Sequence, residues 1–215
     1  MKARSLRRTL SAALLAGALG VVGLPVAQAG GGQIVTHKFF PLKPGTVFHY
    51  KSTDNSSGAT TKHTTVKVLN KTRVIDGHRS QEVETKEYEG GSLTEHFHDW
   101  YFQGAKGIVY YMKHTSKRSG ESWEAGVGSA RKGIYLPADP QVGDVWKRTR
   151  APDAGREGRD QAKAYAVSSG TLKIKVSSYA HLYSETVKFY YTAGKGLTRI
   201  LDKDETTRLT SITQP

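Results

Sequence analysis

Through most of the chain, apolar and polar residues alternate in short runs that end at Gly, Asn, Asp or Ser. The runs include "TVFHYKST" (46–53), "TTKHTTVKVLN" (60–70), "TRVIDG" (72–77), "HRSQEVETKEYEGG" (78–91), "LTEHFHDWYF" (93–102) and "IVYYMKHT" (108–115). A period of two with frequent Val, Thr, Tyr and Phe fits a half-buried β-strand, not an amphipathic helix. The second half repeats the style in "GIYLP" (133–137), "VWKRT" (145–149), "TLKIKVSS" (171–178), "HLYSETVKFYYT" (181–192), "GLTRILD" (196–202) and "TTRLTSI" (206–212). Asp76-Gly77 is a strong hairpin dipeptide, and the tight Gly-containing turns imply antiparallel neighbours. "GESWEAGVGSARKG" (120–133) reads as a folded-over loop, and "APDAGREGRD" (151–160) as a charged mobile loop. "QAKAYAVSS" (161–169) fits a short helix and a strand equally well. The pattern predicts an all-β fold: one curled antiparallel meander sheet, half-barrel or open barrel, of about nine to eleven strands. A two-sheet sandwich is the alternative.

The run 93–102 carries the candidate chemistry. On a strand, His96, His98, Trp100 and Phe102 point one way and Phe97, Asp99 and Tyr101 the other. Imidazoles at i and i+2 sit about 7 Å apart at their bases, close enough to share a metal if a third ligand arrives. His114 on the next strand is that third candidate. A loop over 103–107 places His96 opposite His114, whereas a loop over 104–107 places Phe97 there, so the cluster hangs on one residue of register. The other reading is a solvated strand face with histidines at its polar end. Glu121 and Glu124 flank Trp123, and Asp139 and Asp144 bracket a turn; a carboxylate pair beside a tryptophan suits carbohydrate chemistry, while the two aspartates suit turn capping. There is no helical H-E-x-x-H and no G-x-S-x-G.

The N-terminus changes where this sheet is expected to work. Lys2, Arg4, Arg7 and Arg8 precede an apolar stretch from Leu10 to Val26, and "VAQA" follows with small residues at 27 and 29. This predicts a secretory signal peptide over residues 1–29, a single β domain over 30–215, and no transmembrane segment once the leader is removed. The leader takes four basic residues with it, lowering the formal charge from +13 to +9. On an exported protein that excess suits teichoic acid, anionic headgroups or acidic polysaccharide better than nucleic acid. The chain has no cysteine, which excludes disulfides, thiolate metal sites and a lipid-modified cysteine. A secreted or wall-associated protein is therefore expected.

Several segments in order resemble one family of small exported bacterial domains. They are Phe40-Pro41-Leu42-Lys43-Pro44-Gly45-Thr46 followed by Phe48 and Tyr50, Asp99-Trp100-Tyr101, and Ser122-Trp123-Glu124-Ala125-Gly126. Pro137-Ala138-Asp139-Pro140, Val142-Gly143-Asp144, Tyr190-Tyr191 and Gly194-Lys195-Gly196-Leu197 complete the set. The resemblance implies an all-β extracellular domain and brings no reaction, cofactor or catalytic residue. It keeps Asp99-Trp100-Tyr101 but not the histidines. In fold the family looks loosely like exported half-barrels that carry lipids or lipoproteins.

The aromatics supply the binding hypothesis. The eleven Tyr, six Phe and three Trp include the adjacent sets Phe39-Phe40, Trp100-Tyr101-Phe102, Tyr110-Tyr111 and Tyr190-Tyr191, so both faces of those strands carry aromatic surface. If one face is core, the other can line a cleft. The first expectation is a non-enzymatic domain binding an amphipathic or anionic envelope ligand (lipid, glycan or wall polymer) through Trp100, Tyr101, Tyr111, Trp123 and Glu124, with a basic rim and no cofactor. The second is a surface hydrolase centred on His96, His98 and His114 or on Glu124. The third is a protein-interaction module. The sequence does not fix the oligomeric state.

Overall fold

The structure is a computed structural model that describes residues 34–152, 160–177 and 186–215. The expected leader, most of the 151–160 loop and the start of the 181–192 run lie outside the described residues. Within them the chain is all strand and turn, and no helix is long and apolar enough to cross a membrane.

The strands are β1 (Val35–His37), β2 (Phe40–Leu42), β3 (Val47–Asp54), β4 (Thr60–Ile75) and β5 (His78–Glu89). β6 (Ser92–Gln103), β7 (Val109–Ser116), β8 (Ser122–Glu124), β9 (Gly133–Leu136) and β10 (Val145–Lys147) follow. β11 (Gln161–Val167), β12 (Thr171–Ser177), β13 (Thr186–Thr192), β14 (Gly196–Leu201) and β15 (Glu205–Thr213) complete the set. β1 and β2 form a separate hairpin. The other thirteen make one antiparallel sheet in the order β10-β11-β12-β13-β14-β15-β3-β4-β5-β6-β7-β8, with β9 also on β7. Two meanders are thus joined by the pairing of the last strand with β3.

Alternation explains the curl. In β12, Leu172, Ile174 and Val176 are buried while Thr171 and Lys175 are exposed; in β3, Phe48, Tyr50 and Ser52 are buried. Each strand offers one apolar side, and the sheet bends to bring those sides together. The shared core also takes Val35, Phe39 and Leu42 from the β1–β2 hairpin, with Val68, Tyr135, Leu136 and Tyr191. The two ends of the sheet approach without a continuous ladder. Trp146 Nε1 donates to Tyr135 O at 3.3 Å, and Arg131 N donates to Arg150 O at 2.8 Å. The result is an open half-barrel, as the alternation predicts, and not a sandwich of two sheets.

Details differ from the sequence reading. The strand count is higher because three-residue arms such as β8 and β10 extend the edges. Residues 60–77 form one long strand and a turn, with the ladder interrupted between Val68 and Thr72. The 120–133 loop contains β8, and 161–167 is strand. Asp76 and Gly77, with φ of 47° and 74°, make the expected two-residue turn.

Candidate functional site

The two faces of β6 separate two sets of groups. Phe97, Asp99 and Tyr101 look into the half-barrel; His96, His98, Trp100 and Phe102 look out, as alternation requires.

On the concave side, Tyr101 stacks on Tyr111 with centroids 5.2 Å apart and meets Tyr135 edge-on at 4.8 Å. Trp123 stands edge-on behind Tyr111 at 4.8 Å and is buried with Ala130 and Ala151. Asp99 is buried, and one carboxylate oxygen accepts from the Tyr111 hydroxyl and, at 2.8 Å, from His114 Nδ1. Two chambers adjoin this group. The first, about 230 Å³, is mostly apolar and is lined by Phe48, Tyr50, Val66, Phe97, Leu197 and Ile200. The second, about 470 Å³, is polar and includes Asp99, His114, Glu121, Arg148 and Asp160. Both touch Phe97, Asp99, Tyr101 and Tyr135.

The polar chamber holds a buried cation, Arg148. The Arg148 guanidinium lies 4.2 Å from the Tyr135 ring centroid and 4.9 Å from that of Phe189. Burial works against its charge, but Tyr135, Tyr191 and Asp160 outweigh burial and hold its pKa above the usual value. Burial pushes Glu121 up in the same chamber, and raises Tyr101, with Asp99 adding to the effect. Lys62 beside the apolar chamber is engaged by Glu205 at 3.0 Å. Among the described residues at this cleft, carboxylates accompany both Lys62 and Arg148. Arg148 was legible only as part of the strand-like run "VWKRT" (145–149). Its i+2 relation to the inward Trp146 is the signal that places it inside.

The convex side carries the histidine pair, and here the expected cluster is corrected. β6 and β7 pair Gln103 with Val109, Tyr101 with Tyr111, Trp100 with Lys113 and Asp99 with His114. The loop spans 104–108, and Met112 is an extra residue bulged out of the β7 ladder. Extending the register at the turn would set His114 opposite His98; the bulge moves it on by one residue and turns it into the concave face. His114 is thus separated from His96 and His98 by the sheet. Trp100 and Glu124 are also convex, so neither lines the cleft. Trp100 is buried against Ile75, Met112 and Ala125, with Lys113 Nζ 5.1 Å over its ring, and Glu124 pairs with Lys113 at 2.7 Å and Arg73 at 3.2 Å. Of the five predicted ligand-binding residues, Tyr101 and Tyr111 face the cavities and Trp123 backs Tyr111.

The residues that do join the histidines come from β5. His96 Nε2 lies 2.8 Å from Glu84 Oε1, His98 Nδ1 lies 2.7 Å from Glu82 Oε1, and Lys86 reaches Glu84 Oε1 at 3.0 Å. Burial raises the Glu84 carboxyl, but hydrogen bonds and charge from Lys86 and His96 outweigh it and leave it below the ordinary range. The Asp144 carboxylate accepts from Gln141 N at 2.8 Å, which is turn capping.

No protein-family model matches the chain, and no curated protein does. Among solved structures it is similar to a Bacteroides fragilis protein inferred to be exported and having a YmcC-like fold. The TM-score is 0.48 at 9% identity, over 83% of this chain and 100% of that one.

Proposed function

We propose that the chain is an exported, non-enzymatic β-domain that holds an amphipathic envelope molecule in its concave face. The apolar portion fills the chamber at Val66, Phe97 and Leu197. The polar head reaches Arg148 and the Asp99–His114 pair. The observation that carries this reading is the open apolar chamber at the centre of the half-barrel. Interiors normally pack to about the density of organic crystals, and apolar space that stays unfilled is where apolar ligands go. The leader over 1–29 and the resemblance to exported domains support export.

Val66→Trp is expected to occupy the first chamber. Titration of the native protein with a polarity-sensitive fatty-acid probe should show saturable binding that this variant loses by at least about tenfold. Equal binding by a folded Val66→Trp protein would overturn the assignment. Mass spectrometry of solvent extracts of protein purified from its secretion host then gives the ligand class.

A second reading has its own observation. Arg199 on β14, Arg208 on β15 and Lys51 on β3 are direct cross-strand partners. Lys163, Lys175 and Lys188 are likewise aligned on β11, β12 and β13. No Asp or Glu among the described residues shares this convex face of β11 to β15 and β3. Like charges directly opposite destabilise a sheet, so the rows favour a counter-charge from outside, such as a linear anionic wall polymer. Arg208→Glu puts a carboxylate between two cations. It should raise stability by about 0.2–1 kcal/mol while weakening retention on a polyglycerol-phosphate column and flattening its salt dependence. Unchanged retention would remove this reading and leave the concave one intact.

A further inference from the structure

We propose that Glu84, His96 and His98 bind a divalent transition-metal cation of the Zn²⁺ type on the convex face, with Glu82 orienting His98. One donor atom from each of the three lies within 4.8 Å of the others. His98 and Glu84 are direct cross-strand partners, and His96 sits two residues before His98 on the same face. The donors thus rise from two paired strands and not from loops, which fixes their spacing.

One atom separates this arrangement from an ordinary set of ion pairs. His98 Nε2 is buried, has no hydrogen-bond partner, and lies 4.0 Å from Glu84 Oε1. Its side chain is 12% exposed. The other ring nitrogen, Nδ1, lies 2.7 Å from Glu82 Oε1; in the neutral imidazole that contact places the proton on Nδ1 and leaves the Nε2 lone pair toward the cluster. A carboxylate that takes the outer N–H of a histidine and aims the inner nitrogen is the usual support of a metal-bound imidazole. The Trp100 ring lies beside that of His98, nearly parallel, with centroids 6.0 Å apart. Simple pairing of His96 with Glu84 accounts for those two groups but leaves His98 Nε2 without a hydrogen bond, 4.0 Å from Glu84 Oε1.

The donor set decides the cation. Two imidazoles and one carboxylate suit Zn²⁺, Cu²⁺ or Ni²⁺ over Ca²⁺ or Mg²⁺, and three protein ligands leave a position open to water or a further ligand. Lys86, whose ammonium now sits on Glu84 and whose side chain is 34% exposed, is the group a cation displaces. The site is on the opposite side of the sheet from the ligand chambers, so it stands or falls independently of them.

The test uses the tag-free full chain and zinc chloride in equilibrium dialysis. One equivalent should bind. Glu84→Gln, His96→Asn and His98→Asn should each weaken binding by at least about tenfold, and Glu82→Gln by about 10–100-fold. His63→Asn, at an exposed histidine on β4, should change nothing. Absence of stoichiometric uptake, or a folded His98→Asn protein that binds as tightly as the parent, overturns the site. If a histidine variant fails to fold, nitrogen NMR of the unmodified protein decides. A displaced His98 Nε2 signal at one equivalent of Zn²⁺ supports the site, and an unmoved one overturns it.

Discussion

Gly133→Ala is expected to cost about 3 kcal/mol or more and to lower the melting temperature by roughly 6–12 °C. Gly133 begins β9 and pairs with Tyr111. A Cβ at this position would lie 1.9 Å from the Arg148 carbonyl oxygen, 2.5 Å from its carbon and 3.0 Å from Thr149 Cα. These are main-chain atoms, so no side-chain rotation relieves the collision. The segment at 148–149 must move away from β9. That segment holds Arg148 against Tyr135 and Phe189, and it leads into the Arg131–Arg150 bridge between the sheet's two ends. The variant therefore opens the polar chamber as well as loosening the fold. Gly170→Ala is the contrast. A Cβ there meets nothing within 4 Å, and its stability should stay within about 0.5 kcal/mol of the parent. Thermal unfolding by circular dichroism compares the two. A Gly133→Ala protein as stable as Gly170→Ala would mean that the sheet edges do not approach as closely as described.

Alternation made the sheet legible because it reports burial directly, one side chain at a time. It assigned both faces of β6 correctly, and the Asp76-Gly77 turn followed from backbone chemistry alone. What it could not report is where the ladder slips. Both hairpins around β6 contain a bulge, one between Glu87 and Tyr88 with their partners and one at Met112. Each changes facing by one residue, so Glu84 and not Val83 stands opposite His98, and His114 leaves the histidines. A bulge is fixed by how two strands twist against their neighbours, and no local residue announces it. The like-charge rows were hidden for a similar reason: Arg199 and Arg208 meet across the β14–β15 hairpin, but Lys51 is distant in sequence and only the return of β15 to β3 aligns it with them. The basic excess was visible, but it was read as a rim to the cleft. Among the described residues, two aligned rows of it lie on the convex face.

Asp99→Ala is expected to destabilise the protein by about 3 kcal/mol, since hydrogen bonds to a buried charge contribute about 1.5–3 kcal/mol each. The Asp99 carboxylate receives the Tyr111 hydroxyl and His114 Nδ1, and these two groups form the wall shared by the chambers. Removing it deletes an acceptor used twice and frees Tyr111 to leave its stack on Tyr101. Asp99→Asn keeps one acceptor oxygen and nearly the same volume, so about 1 kcal/mol is expected. Tyr111→Phe removes one of the two bonds and keeps the ring, again for about 1 kcal/mol. A double-mutant cycle separates sharing from coincidence. If Tyr111 is held through Asp99, adding Tyr111→Phe to Asp99→Ala costs less than it does in the parent, with a coupling of about 0.5–3 kcal/mol. Denaturant unfolding of the four proteins measures it. Additivity within about 0.3–0.5 kcal/mol would show that the carboxylate does not hold the tyrosine. The aromatic wall would then owe its position to other contacts, among them the rings of Tyr101, Tyr135 and Trp123 and the Tyr111 hydroxyl's approach to His114.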